Sequence, residues 1–281
     1  MPTIADKRRT FRSLHEKGCF VLPNPWDVGS ARYLQSLGFK ALATTSAGAA
    51  YAVALPDGGV PRDAMLAHIA ALVAATDVPV NADFGAGFAD APEDVARNVR
   101  LCVETGVAGL SIEDATGNPA RPLYDFDLSV ERVRAARAAI DSSGTEVTLT
   151  GRAEGMLGYD RDIDAAIRRL VAYADAGADC LFAPGIITTR DQIAAVVAAV
   201  APRPLNVLAS PAHGLTVKDF AALGVRRLSV GSGLARTAWG AFMRAARTIA
   251  SDGCFDGMAD AASPKELNGL FREDAGRRDP C

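Results

Sequence analysis

Pro79-Val80-Asn81-Ala82-Asp83-Phe84-Gly85-Ala86-Gly87-Phe88 runs apolar, stops on a carboxylate and enters a glycine-rich loop. A similar ending recurs at Leu110-Ser111-Ile112-Glu113-Asp114, and again at Thr148-Leu149-Thr150-Gly151-Arg152 with an arginine in place of the acid. Short, buried-type strands that finish on charge, with helices between them, describe a barrel whose functional groups gather at one end.

Working outward, eight short apolar runs rich in branched residues read as strands, centred on Val21, Ala43, Val80, Leu110, Leu149, Leu181, Val207 and Leu228. Helical spacing fills the intervals at residues 27–37, 62–75, 92–105, 128–140, 160–176, 189–200, 217–223 and 235–250. Gly38, Gly106, Gly177 and Gly224 stand where a helix hands over to a strand, the place of a left-handed C-cap. Strict β-then-α alternation implies parallel pairing with right-handed crossovers. Eight such units predict a (β/α)8 TIM barrel, with a doubly wound open sheet as the alternative. No linker interrupts the chain. Residues 1–281 therefore read as a single barrel domain, with 254–281 a C-terminal helical tail: one short helix at 264–271, then a polar end that frays.

Bulk properties narrow the class. The 281 residues are 49% apolar and 22% charged, with a net charge of −3 and the two signs mixed. That is an ordinary globular balance with neither a nucleic-acid nor a membrane surface. Basic residues near the N-terminus have no apolar stretch behind them, and no run approaches the ~18 residues of a membrane span. Cys19, Cys102, Cys180, Cys254 and Cys281 are scattered and in no CxxC spacing, which points to a reducing, cytoplasmic setting.

Residues two apart on a strand share a face. This parity turns Thr148, Thr150 and Arg152 toward the barrel axis, with Asn81 and Asp83, Ser111 and Glu113, and Thr44 and Ser46. Asn24 follows the first strand and Asn206 lies within the seventh. Asp83, Glu113 and Asp57 would crowd negative charge into one pocket, which either raises a pKa or holds a hard cation. Mg²⁺ keeps several waters and takes one or two carboxylates directly, as acids on separate strands allow. Arg152 is then a donor fork for a substrate carboxylate or a developing oxyanion, or else an ion-pair brace with Glu113 or Glu154.

Absences exclude other chemistries. None of the lysines (Lys7, Lys17, Lys40, Lys218, Lys265) lies at a strand's C-terminal end, so a Schiff-base mechanism is not expected. His15, His68 and His213 form no HxH or HExxH pair, which argues against a zinc hydrolase. The Gly231-Ser232-Gly233 turn offers backbone N–H groups to an anion, or simply tight packing.

Taken in order, Thr44-Thr45-Ser46-Ala47-Gly48, Pro56-Asp57, Asn81-Ala82-Asp83 with Gly87-Phe88, Ser111-Ile112-Glu113-Asp114 and Arg152-Ala153-Glu154 resemble the isocitrate lyase / phosphoenolpyruvate mutase superfamily. The likeness is to its methylisocitrate lyase-like and oxaloacetate decarboxylase-like members, and runs from about Phe11 to Ala250. The resemblance implies a barrel whose last helix is exchanged within a homodimer or homotetramer. It also implies Mg²⁺ (or Mn²⁺) holding an α-oxo or α-hydroxy carboxylate. Ser46, Ala47 and Gly48 would hold the substrate carboxylate, with Asn206 and Arg152 completing the substrate set. Asp57, Asp83 and Glu113 would position the metal. Arg152 would stabilise an enolate-like intermediate, with Glu113 and Asp57 as the other catalytic candidates.

Two departures stand out. The family's Asp-x-Asp is here Asn81-Ala82-Asp83, so an amide replaces one carboxylate. The mobile loop of isocitrate and methylisocitrate lyases reads Lys-Lys-Cys-Gly-His, whereas residues 114–124 contain no Cys, Lys or His. Tyr51, Tyr124, Glu154 and His213 are the candidate proton donors. The leading expectation is a Mg²⁺-dependent lyase or decarboxylase that cleaves a C–C bond in a small 2-oxo or 2-hydroxy acid. The alternatives are a phosphonopyruvate-type P–C mutase or hydrolase, with Arg121 and Arg152 holding the phosphonyl group, and a 2-oxo acid-binding paralogue with little turnover.

Overall fold

The computed structural model describes residues 2–155, 162–185 and 189–278. Its strands are β1 (Phe20–Leu22), β2 (Leu42–Ala43), β3 (Val80–Asp83), β4 (Gly109–Glu113), β5 (Thr148–Arg152), β6 (Cys180–Phe182), β7 (Leu205–Leu208) and β8 (Arg227–Ser229). All pair in parallel in the order β1-β8-β7-β6-β5-β4-β3-β2. This is the (β/α)8 barrel and not the open sheet. The joint between β1 and β2 has no ladder of its own. There Ala43 N–H donates to Pro23 O at 3.1 Å, and Asn24 latches three strand ends, its Nδ2 donating to Thr44 O and its Oδ1 accepting from Val230 N, both at 2.9 Å.

Helices α1 (Ile4–Leu14), α2 (Val28–Ser36), α3 (Ser46–Ala52), α4 (Arg62–Ala75), α5 (Pro92–Glu104), α6 (Phe126–Ser142), α7 (Ile163–Asp175), α8 (Arg190–Val200), α9 (Val217–Ala222), α10 (Gly233–Asp252) and α11 (Pro264–Arg278) surround and extend the ring. The start of the expected 160–176 helix lies outside the described residues. Its visible part begins after Asp162, whose side chain accepts from Asp164 and Ala165 N–H. Branched residues on the outer strand faces, such as Val80, Leu110, Ile112, Leu149 and Val207, meet the helices in one buried layer. The handover glycines have the positive φ expected of C-caps, and Gly177 (φ 102°) is also a close approach: a Cβ there would lie 2.6 Å from Arg137 Cγ.

Helix α1 closes the N-terminal end of the barrel. Phe11 is fully buried. Lys7 Nζ donates to the carbonyls of Val73 and Thr76, and Arg8 to those of Val103 (2.9 Å) and Val107 (3.0 Å). The carbonyls of Val73, Thr76 and Val103 end α4 and α5, where the helix dipole favours a cation.

Helix α10 buries only Ala235 and leaves Trp239, Phe242, Met243 and Ile249 exposed. The tail does not fray at 271 as its polar sequence suggested. Helix α11 continues to Arg278 because Asp274 pairs with Arg32 of α2 and Arg278 pairs with Asp77 at 3.3 Å. Among the described residues, no helix is long and apolar enough to cross a membrane.

Candidate active site

The C-terminal mouth of the barrel brings six of the expected residues, Ser46, Asp57, Asp83, Glu113, Arg152 and Glu154, into one chain of contacts. Glu113 and Arg152 are neighbours in the β4–β5 register. Arg152 Nη1 lies 3.1 Å from Asp83 Oδ1 and 3.2 Å from Glu113 Oε2, while its Nε pairs with Glu154. Asp83 Oδ2 accepts from both the N–H and the hydroxyl of Ser46, each at 2.9 Å, and that hydroxyl also lies 3.2 Å from Asp57 Oδ1. Thr44 Oγ1 accepts the N–H of Asp83 at 2.9 Å. Strand β2 ends at Ala43, so Ser46 reaches Asp83 as the first residue of α3 and not by strand parity. The brace and the donor fork proposed for Arg152 share one guanidinium, which meets Asp83 as well as both glutamates.

These groups border a cavity of about 250 Å³, lined among others by Asn24, Thr44, Ser46, Ala47, Asp57, Asn81, Asp83, Arg152, Phe182, Asn206, Arg227, Ser229 and Arg236. Phe182 lays its ring 5.2 Å from the Arg152 guanidinium carbon. Glu113 stands behind Arg152 and not on the cavity wall. Burial raises the Glu113 carboxyl to about 8; Arg152 opposes the rise, and Glu154, Asp83 and Asp57 add to it. Glu154 is likewise raised, chiefly by burial. Burial alone would lower Arg152, but Glu113, Glu154 and Asp83 outweigh that and fix it as a cation.

Asn206 is locked within the cavity. Its Oδ1 accepts from Arg227 Nε at 2.9 Å and its Nδ2 donates to Ser229 Oγ at 3.0 Å. Arg227 went unremarked in the sequence, although Arg227 and Ser229 share the inner face of β8 by the same two-residue alternation. It is 2% exposed and has no carboxylate within ion-pair distance among the described residues. Its other partners are Thr150 Oγ1 at 3.0 Å and His15 Nε2 at 3.4 Å. His15 is held neutral by burial and by Arg227, its value pushed down to about 3, so Nε2 accepts while Nδ1 donates to Phe11 O.

Other expected residues stand elsewhere. Gly48 is off the cavity wall: its N–H goes to Thr45 Oγ1 at 3.2 Å, and a Cβ would lie 2.6 Å from Thr45 Cγ2 and 2.9 Å from Trp26 Cβ. Its local role is close packing. Tyr51, Tyr124, Glu154 and His213 do not line the cavity. The Tyr124 hydroxyl is bound to Asp90, and His213 packs on Phe220. Arg121 is exposed on its loop.

Among the described residues, no group of three or more His, Cys, Asp or Glu is arranged to hold a metal ion. Asp83 and Glu113 nevertheless both reach one nitrogen of Arg152, and the buried Oδ1 of Asn81 has no hydrogen-bond partner. Two carboxylates and an amide oxygen are hard donors. They fit Mg²⁺, which completes its shell with water, and not a thiolate- or imidazole-bound ion.

A family model, phosphoenolpyruvate phosphomutase, matches residues 11–250. The crystal structure of a provisionally named lyase/mutase from Burkholderia cenocepacia J2315 is 51% identical, with a TM-score of 0.90, and the match covers 95% of this chain and 96% of that one. An uncharacterised protein of Mycobacterium tuberculosis (strain H37Rv) is 36% identical over 79% of this chain and 82% of its own length. The oxaloacetate decarboxylase of Paraburkholderia xenovorans (strain LB400) is 32% identical over 80% of this chain and 75% of its own. By the extent of these matches, the chain belongs to the phosphoenolpyruvate phosphomutase family, within the isocitrate lyase / phosphoenolpyruvate mutase superfamily.

Proposed function

We propose that this chain cleaves a C–C bond in a small 2-oxo or 2-hydroxy carboxylic acid, with oxaloacetate the first substrate to test. The observation that carries this reading is Arg152: a guanidinium on the wall of a small polar cavity, ion-paired with three carboxylates. In decarboxylation of oxaloacetate the bond between C3 and the C4 carboxylate breaks. Its electron pair moves to C3 and onto the C2 oxygen, CO₂ leaves, and protonation at C3 gives pyruvate. Arg152 donates to the oxygen where negative charge grows. Ser46 and Ala47 hold the C1 carboxylate, and Asn206, fixed by Arg227 and Ser229, orients the remainder. Asp83, with Glu113 and Asp57 acting through water, would hold Mg²⁺ (or Mn²⁺). When bound, the ion supplies Lewis-acid stabilisation of the developing charge.

P–C chemistry is less well supported, because Arg121, one of the two cations expected to hold a phosphonyl group, does not line the cavity. The relationship to the oxaloacetate decarboxylase favours the C–C reading. The lone buried residue and exposed aromatic face of α10 support its exchange between subunits of a homo-oligomer.

Turnover of oxaloacetate and methylisocitrate with and without EDTA tests the proposal, alongside Arg152→Ala and Asp83→Ala. Full activity in either variant, or activity indifferent to EDTA, sinks the mechanism. Phosphorus NMR on candidate phosphonates tests the rival reading.

A further inference from the structure

Asp114 follows Glu113 but turns away from the cavity, and its carboxylate is buried. Its Oδ1 accepts the N–H of Glu154 at 2.7 Å. Its Oδ2 accepts the hydroxyl of Tyr173 at 2.7 Å and Arg169 Nη1 at 3.1 Å. Its backbone N–H donates to Arg152 O at 3.2 Å, and its carbonyl accepts from Tyr124 N at 2.9 Å. The β4–β5 ladder already joins these strands from Gly109↔Thr148 to Glu113↔Arg152. The Asp114–Glu154 bond lies beyond the end of that ladder, at the residue whose side chain takes Arg152 Nε.

We propose that Asp114, supported by Tyr173 and Arg169, is a positioning residue for Arg152. It fixes the backbone of Glu154, whose carboxylate grips the guanidinium from behind at Nε and leaves Nη1 between Asp83 and Glu113. Gly151 makes this possible, since its missing side chain admits Tyr173: a Cβ there would lie 2.8 Å from Tyr173 Cβ. The same hub holds the base of the loop after β4. Arg169 Nη2 donates to Tyr124 O at 3.0 Å and its Nη1 to Ser129 Oγ at 2.9 Å. Within that loop Ala115 pairs with Leu123, and Thr116 N–H donates to Pro122 O. A displacement of the loop base therefore reaches the Arg152 guanidinium through the buried carboxylates of Asp114 and Glu154.

The proposal rests on reading Arg152 as the group that meets the developing charge, so its test needs a readout independent of turnover. The ¹H–¹⁵N signal of Arg152 Nε–H, assigned by its loss in Arg152→Lys, provides one. In Asp114→Asn the exchange of this proton with water is expected to accelerate at least about tenfold, the equivalent of one lost charge-assisted hydrogen bond. With oxaloacetate, kcat is expected to fall about tenfold while KM stays within about twofold, as for an interaction made in the transition state. Tyr173→Phe removes one hydroxyl from a packed site and shows both changes in smaller degree; it decides the matter alone if Asp114→Asn does not fold. Native Nε–H exchange in these variants overturns the proposal, whatever turnover does. If the native enzyme leaves oxaloacetate untouched, the reaction assignment fails, and the exchange measurement still decides the role of Asp114.

Discussion

Replacing Glu113 with glutamine removes a carboxyl that holds its proton unusually tightly in the folded protein. Its ordinary value is 4.5, and burial, with repulsion from Glu154, Asp83 and Asp57, takes it to about 8 against the pull of Arg152. A group whose folded pKa is raised contributes stability that is fully present below the unfolded value and is lost as pH climbs through the folded one. The window therefore runs from about pH 4.5 to about pH 8, and stability falls as pH rises. The displacement sets a ceiling of about 5 kcal/mol. The side chain keeps 18% of its exposure and shares a guanidinium with Asp83, so about 2–3 kcal/mol is expected in a partly screened site. The assay is urea unfolding of the native protein and Glu113→Gln at several pH values across this window, in EDTA so that no metal competes. The native protein's stability relative to the variant should decline by that amount from the acid to the alkaline side. A difference that stays flat, or grows with pH, refutes the electrostatic account of the site.

Arg152→Met leaves Asp83, Glu113 and Glu154 facing one another without their shared cation. Turnover should drop about 10²–10³-fold, and urea unfolding should register a loss of about 3–5 kcal/mol. Gly151→Ala forces a Cβ to within 2.8 Å of Tyr173 Cβ and should cost about 1–3 kcal/mol; an unchanged Tm would contradict the close packing of α7 on β5. Lys7→Met deprives the carbonyls of Val73 and Thr76 of their donor at the far end of the barrel. It should lower stability by about 1–3 kcal/mol while kcat at a temperature well below Tm stays native.

All eight strands lie where short apolar runs bounded by glycine or polar residues put them, because strands covered on both faces carry a strong local signal. Two helices do not announce themselves. The buried side of α1 includes Lys7 and Arg8, so its inward face has no apolar period. Helix α3 is seven residues, all small but Tyr51 and mostly buried, with no polar face to set a phase. The charges at the ends of β3, β4 and β5 were legible from parity, and their mutual contacts follow from adjacent registers. What parity cannot convey is which partner a long side chain selects. Asp114 pairs 55 and 59 positions away with Arg169 and Tyr173, and Arg227 reaches His15 across the barrel floor. Such pairings are set by three-dimensional packing, and nothing in the local sequence spacing encodes them.

The joint between β1 and β2 has a mechanical consequence. Away from it, β4 and β5 share the longest register in the ring, from Gly109↔Thr148 to Glu113↔Arg152. At the joint, the Ala43–Pro23 hydrogen bond and the Asn24 latch hold strands whose following residues include Ser46. A hoop strained thermally parts first at its weakest fastening. The barrel should therefore behave as a split ring that parts first between β1 and β2, while Glu113 and Arg152 ride on its best-fastened pair of strands.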